Sequence, residues 1–389
     1  MSNETFKGRG LAEAERLYRN YGIRARELKE QGQKSIAYVC ALVPLEIIAA
    51  AGFIPIRIRG DVNEPITKGD IDLETIACPY ARSCFDNAVK GRYGFCDGLA
   101  IPHSCDSTAR TYSVWRYVLN YPYSHFINTP HTANDSALEF FRADLENFRK
   151  SLGRFAGSEI TDAKLARYVD LYNENRKKVM ALYALRKQDP PLISGSEMVK
   201  VLVAGLSLPI QEASDLYDQV REEVLNRKDA GIKKLPRVMV VGSAIDNHDF
   251  MQLVEESGAN VVVDDLCMGT REFAPPTAVT DDPMDGIADR YLNRINCPRT
   301  YRERKEGETF EDDLQSRFGD AGKLAKDYAV EGVILYMYKY CDPFGFEIPV
   351  RKTYFESLGL PVLYIEDEYS AGTAGSLRTR IQAFLEVIE

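Results

Sequence analysis

Two stretches of this chain, residues 35–128 and 235–389, repeat one rhythm: a short apolar run, a Gly or Pro, then a helical period. That alternation marks strand–helix–strand units, which build parallel sheets with helices on their faces. In the first stretch Ile36 to Val43 is apolar, Pro44 opens a helix, Gly52 closes it, and Phe53 to Ile58 is the next strand. Pro at a helix start and Gly just past its end follow the usual asymmetry. A helix from Pro79 to Lys90, a strand at Leu99, a helix from Ser107 to Leu119 and a short strand from His125 to Asn128 continue the pattern. The second stretch opens on Arg-Val-Met-Val-Val-Gly-Ser-Ala. Helices are expected over 248–257, 309–328, 349–358 and from Ser376, with strands over 259–263, 332–337 and 362–365.

Between the two, residues 135–230 carry helical periods at Ala137 to Leu152, Asp162 to Lys187 and Ser196 to Leu206, and residues 11–32 read as one charged helix with no strong breaker before Gly32. The expected fold class is α/β: two Rossmann-like (flavodoxin-like) parallel-sheet domains joined by a helical segment. The boundaries fall at 1–134, 135–230 and 231–389. Segment 266–308 is irregular, with Pro, Cys and Arg, and is placed to cover a site.

A chain of 389 residues with 45% hydrophobic content can bury two ordinary cores. A net charge of −9 without a compensating run of Lys and Arg argues against nucleic acid as a partner. The N-terminus has no apolar core of signal-peptide length, and no run approaches the ~18 apolar residues of a membrane span. A cytoplasmic protein is expected, in which all eight cysteines stay reduced and open to metal, redox work or packing.

Two of those cysteines have the same setting. The run Leu99 to Pro102 delivers Cys105-Asp106, and the run Gly332 to Met337 delivers Cys341-Asp342. In open α/β sheets ligands bind beyond the carboxyl ends of the strands, so both thiols fall at a ligand edge. Cys78, in Ala-Cys-Pro-Tyr, stands at a helix start. Three thiolates without a near fourth would leave one position of an iron–sulfur cube open. The alternative is three unrelated buried cysteines, which the shared Cys-Asp ending weakens. Cys105 and Cys341 precede helix-prone segments whose N–H groups favour thiolate or sulfide charge.

The remaining candidates are weaker. Cys84, Cys96 and Cys297 read first as core or loop thiols, although six cysteines would suffice for two three-thiolate cubes. Cys40 and Cys267 read as packing residues. Zinc finds neither a Cys-x-x-Cys knuckle nor a His-Glu-x-x-His helix. Glu46, in a first helical turn, and His103, two residues before Cys105, are candidate acid–base groups beside the simpler readings of helix-start acid and surface histidine. Gly242-Ser-Ala is a partial phosphate-approach turn without the full glycine pattern. No phosphate loop exists, so any ATP is bound by another protein.

Several segments together resemble one family. They are Val-Pro-Leu-Glu-Ile-Ile-Ala-Ala-Ala-Gly-Phe-Ile-Pro, Asp-Gly-Leu-Ala-Ile-Pro-His-Ser-Cys-Asp, Gly-Ser-Ala-Ile-Asp, Val-Val-Val-Asp-Asp-Leu-Cys, Tyr-Cys-Asp-Pro-Phe-Gly-Phe-Glu-Ile-Pro and Leu-Arg-Thr-Arg-Ile-Gln-Ala-Phe-Leu-Glu. In this order, over nearly the whole chain, they are similar to the 2-hydroxyacyl-CoA dehydratase and benzoyl-CoA reductase subunits, the length fitting the shorter β-type dehydratase subunit. The resemblance implies a [4Fe–4S] cluster on Cys78, Cys105 and Cys341. It also implies a homologous subunit in a hetero- or homodimer, an ATP-hydrolysing iron–sulfur activator, and an acyl-CoA thioester dehydrated through a ketyl radical. A related branch, the double-cubane proteins, resembles homodimers with an [8Fe–9S] cluster that reduce small molecules. On that branch Cys84, Cys96 and Cys297 would join the ligands.

Overall fold

The computed structural model describes residues 9–304 and 306–388. Strands β1 (Ser35–Tyr38), β2 (Ile54–Arg57), β3 (Gly98–Pro102) and β4 (Tyr123–Ile127) form one sheet. Strands β5 (Arg237–Gly242), β6 (Asn260–Asp265), β7 (Gly332–Tyr338) and β8 (Val362–Asp367) form the other. Every pairing is parallel, and the two sheets share one order, β2-β1-β3-β4 and β6-β5-β7-β8. The inner strands are apolar on both faces because helices cover both, and β1, β3, β5 and β7 are buried along their whole length. The chain is thus α/β with two Rossmann-like domains.

The long middle helices, Asp135–Ala156, Asp162–Ala184, Gly195–Gly205 and Ile210–Asn226, mostly start where short polar side chains cap them. Asn134 accepts from the Ala137 N–H at 2.9 Å, and Ser194 with Glu197 forms a reciprocal capping box. The helix Ile210–Asn226 lies beyond the periods read from sequence. Its Glu212 takes both arms of Arg24 at 2.8 Å, which ties the N-terminal helices to the middle of the chain.

Three local expectations change. The N-terminal helix is two, Gly10–Arg19 and Ile23–Glu30. Gly22 breaks it, with φ at 76° and a position where a Cβ would lie 2.6 Å from the Phe95 ring. The helix expected from Pro349 starts at Asp342 and runs to Ser357 with Pro349 inside it, one backbone donor short. Within 266–308 lie two short helices, Thr270–Phe273 and Pro283–Asp289, and the π-turn Arg290–Arg294. Gly242 answers strand packing: a Cβ there would meet the Tyr336 carbonyl oxygen of β7 at 2.2 Å.

The carboxyl ends of the two sheets meet in one seam. Arg57 at the end of β2 faces Glu272 at 3.4 Å, both buried. Asp246, beyond β5 and fully buried, accepts from the Gly60 N–H at 2.8 Å and from the Tyr369 hydroxyl at 2.8 Å. Tyr80 stacks on Tyr338, and Tyr369 meets both edge-on. Among the described residues no helix is long and apolar enough to cross a membrane.

The Asp246 contacts make a stability prediction. Tyr369→Phe removes a donor from a buried carboxylate, which costs about 1–3 kcal/mol. The urea midpoint should fall with an unchanged m-value. A midpoint equal to wild type would show that this bond does not hold the seam.

Candidate metal centre

In each sheet the chain leaves its first strand toward one neighbour and returns on the other side. β1 and β3 therefore flank the switch point of the first sheet, and β5 and β7 that of the second. The crevice beyond such a point is where open sheets hold ligands. Cys40 follows β1, Cys105 follows β3, Cys267 follows β6 and Cys341 follows β7.

Three of the cysteines are helix N-caps. Cys78 precedes the helix Pro79–Val89, Cys105 the helix Asp106–Val118, and Cys341 the helix Asp342–Ser357. Backbone N–H groups of Ala81 and Tyr80 favour the charged form of Cys78, those of Thr108 and Ser107 that of Cys105, and that of Phe344 that of Cys341. The Thr108 hydroxyl also lies 3.6 Å from the Cys105 Sγ. These orphan donors and the positive end of each helix favour negative sulfur. The three thiols also feel one another: Cys105 raises Cys78, and both raise Cys341. Burial outweighs the donors. It pushes the Cys78 thiol up to about 11, Cys105 upward and Cys341 well above its ordinary value. Without a metal these groups are thiols, and a bound metal would replace their protons.

A second trio adjoins the first. Cys40 and Cys267, which read from sequence as packing residues, stand within electrostatic reach of Cys297 and of each other, and Cys267 reaches Cys341. Burial, then Cys267, pushes Cys297 up to about 12. Cys40 has φ at 76° and Tyr340, beside Cys341, 61°. Non-glycine residues held in the left-handed region gather at functional sites. All eight cysteines are unpaired.

Cys84 lies in the seam but inside a helix rather than at its N-terminus, and Cys96 lies away from the seam. Cys84, 1% exposed, sits against Tyr80 and Asp246 with Cys78 a lesser influence. Cys96 is buried beside Ser35 and Asp97, and burial pushes it up to about 12.

The surrounding groups suit an anionic, sulfur-rich occupant. Arg271 donates to the Cys267 Sγ at 3.1 Å, and Arg57 and Arg299 act on the second trio. Buried polar atoms with no hydrogen-bond partner include Arg299 Nε and Nη1, Arg57 Nε, Thr300 Oγ1 and Ser243 Oγ. Among the described residues no three His, Cys, Asp or Glu side chains converge on a single metal ion. Thiolates that each take a different iron of a cluster need not converge. Cys105, Asp342, Arg299, His131, Phe310 and Phe346 border a cavity of about 480 Å³ that opens to solvent.

The two acid–base candidates separate. His103 is half-buried beside that cavity, edge-on to His131 at 4.7 Å. Glu46 is fully buried and accepts from Arg176 at 2.6 Å, Thr277 at 3.0 Å and Tyr291 at 2.8 Å. Burial raises its pKa, but Arg176 and Arg290 outweigh burial and hold the carboxyl at about 2.

Known proteins resemble the whole chain. Residues 40–388 match the family model described as 2-hydroxyglutaryl-CoA dehydratase, D-component. The (R)-phenyllactyl-CoA dehydratase beta subunit of Clostridium sporogenes is 25% identical over 93% of this chain and 94% of its own. A benzoyl-CoA reductase subunit of Thauera aromatica is 26% identical over 97% and 98%. The (R)-2-hydroxyglutaryl-CoA dehydratase beta subunit of Acidaminococcus fermentans is 22% identical over 92% and 93%.

The Glu46 pair has a pH signature. A carboxyl lowered from 4.5 to about 2 on folding adds stability that is complete above 4.5 and is lost as pH falls through about 2. Glu46→Gln leaves Arg176 buried without its counter-charge, a loss of about 3–5 kcal/mol at pH 7. Urea unfolding should show the gap between variant and wild type narrowing from pH 5 to pH 3. A constant gap would mean that Glu46 is not held ionised by Arg176.

Proposed function

The chain belongs to the 2-hydroxyglutaryl-CoA dehydratase D-component family, and on that premise we propose that it is the iron–sulfur subunit of a 2-hydroxyacyl-CoA dehydratase-type enzyme. The observation that carries this reading is the gathering of Cys78, Cys105 and Cys341, each at a helix N-terminus, in the seam between two parallel sheets. In the proposal these thiolates hold a [4Fe–4S] cluster and leave one iron free. Such a cluster supplies one-electron, low-potential chemistry and a Lewis-acidic iron for an oxygen ligand.

The protein's own groups do the rest. The three helix N-termini stabilise the thiolate charge. The cavity beside Cys105 admits the acyl end of a thioester, with Phe310 and Phe346 offering apolar surface. His103 stands nearer this route than Glu46 and takes the acid–base role in the proposal. Glu46 serves the fold through Arg176. The substrate is a 2-hydroxyacyl-CoA thioester from which hydroxide leaves after one-electron reduction to a ketyl radical. A homologous subunit and an ATP-hydrolysing iron–sulfur activator complete the system, since this chain has no phosphate loop. Eight unpaired thiols fit the reducing cytoplasm.

A second reading is favoured by the second trio. Cys40, Cys267 and Cys297, with Arg57, Arg271 and Arg299 around them, supply three more thiolates and counter-charge. Six thiolates suit an [8Fe–9S] double cubane and an ATP-dependent reductase of the same family, with Cys40 and Cys267 in place of Cys84 and Cys96. Reduction of an aromatic acyl thioester belongs to the same alternative.

Iron analysis of anaerobically purified protein tests both. About four irons per chain supports the dehydratase-type centre and about eight the double cubane, by the stoichiometry of each cluster. Cys78→Ser, Cys105→Ser and Cys341→Ser should each strip most of the iron in either case, whereas Cys40→Ser and Cys297→Ser should do so only in the second. Cys84→Ala and Cys96→Ala should retain it. Iron-free wild-type protein, or full iron in Cys105→Ser, would overturn the proposal.

A further inference from the structure

Arg299 stands apart from the other arginines of the seam. Arg271 pairs with Asp265 at 2.9 Å and Arg57 faces Glu272 at 3.4 Å. Among the described residues no carboxylate stands within ion-pair distance of Arg299. Its Nη2 donates to the Thr129 carbonyl oxygen at 2.9 Å, which ties the segment after Cys297 to the end of β4. Its Nε and Nη1 are buried without any partner, and the residue is 6% exposed. A buried cation with two unused N–H groups is costly unless something anionic faces it.

The neighbours say what that is. The ionisable groups within electrostatic reach of Arg299 are Cys297, Cys40 and Cys105, two thiols of the second trio and one of the first. A solute in the adjoining 480 Å³ cavity cannot hydrogen-bond Nε or Nη1, because both atoms are inaccessible to solvent. The unpaired guanidinium edge therefore answers charge inside the seam, not a substrate anion.

We propose that Arg299 is a positioning residue that sets the reduction potential of the centre held between the two trios, its uncompensated charge favouring the form that carries one more electron. The inference rests on the reading that these cysteines hold an iron–sulfur cluster. Adding one electron makes the centre more negative by one charge, with no bond made or broken. A cation fixed in a low-dielectric seam stabilises that form more than the oxidised one. The charge, not the contact with Thr129, carries the effect.

The test compares anaerobically purified wild type, Arg299→Gln and Arg299→Lys by iron content and by an EPR-monitored potential titration. Titanium(III) supplies the electron and is oxidised to titanium(IV). The glutamine variant should keep its iron and show a midpoint shifted to more negative potential, with the lysine variant close to wild type. A folded glutamine variant poor in iron beside an iron-replete lysine variant also supports the proposal, because the charge is then needed to hold the anionic centre at all. It is overturned by full iron and an unchanged midpoint in Arg299→Gln, or by a lysine variant that shifts as far as the glutamine one. Loss of iron from both variants also overturns it, since the Thr129 tie would then be the role. Iron-free wild type would instead remove the cluster reading on which the inference stands.

Discussion

Thiols gathered and partly buried at the carboxyl ends of two sheets set the condition that the rest of the seam must meet. Burial and mutual repulsion both oppose ionisation, so Cys341, which feels three other thiols, is driven well above its ordinary pKa. Three helix N-termini and three arginines act the other way. Burial wins within the protein alone: the thiols of the first trio stay protonated while Arg299 keeps unused donors. The proposed metal–sulfur group would resolve both conflicts, taking the protons' place and supplying the anionic partner.

The strained backbone at this edge is tolerated because the strands behind it are rigid. Cys40 follows β1, and Tyr340 follows β7. Both strands are central in their sheets, paired on both edges and buried throughout. Left-handed φ at non-glycine residues persists only where surrounding structure over-determines it. The sheets meet this need through pairing within each domain, and Asp246 and the Arg57–Glu272 pair meet it across the seam.

Most of the architecture was legible because parallel-sheet strands are apolar on both faces and their helices begin at Pro, Ser, Thr or Asn. Cys105 and Cys341 were legible for a related reason, since a polar dipeptide straight after a buried strand must lie at the sheet's carboxyl edge. Gly22 escaped because a single glycine inside charged helical periodicity is locally tolerable, and only the Phe95 ring, distant in sequence, shows why a Cβ is excluded. Cys40 escaped because it continues an apolar run, and Cys267 because it stands between the apolar Leu266 and Met268. Packing and facing the seam differ only in which side of the chain turns inward, and a left-handed φ at Cys40 decides that. Cys84 and Cys96 sit near first-trio cysteines in sequence, yet Cys84 lies inside its helix against Tyr80 and Asp246, without the N-terminal donors, and Cys96 precedes β3 rather than following it.

The matching strand orders explain why one trio is regular and the other is not. β3 and β7 hold the same place in their sheets, each the third in its domain and each beside the first strand. Both end in Cys-Asp at a helix N-cap, so Cys105 and Cys341 approach the seam as a near-symmetric pair, and Cys78 at a further N-cap completes the set. The second trio draws on places that do not correspond: Cys40 follows the first strand of one domain, Cys267 the second strand of the other, and Cys297 a loop. It also lacks helix N-caps, and its counter-charge comes from side chains, Arg57, Arg271 and Arg299. Two sulfur sets stabilised by different means, backbone dipoles on one side and guanidinium groups on the other, respond differently to substitution. A thiolate held by N–H groups keeps its electrostatic support when neighbouring side chains change. One held by arginines would be tuned by them, so in the proposed centre the charge at Arg299 bears on the potential while the first trio bears on whether a centre forms.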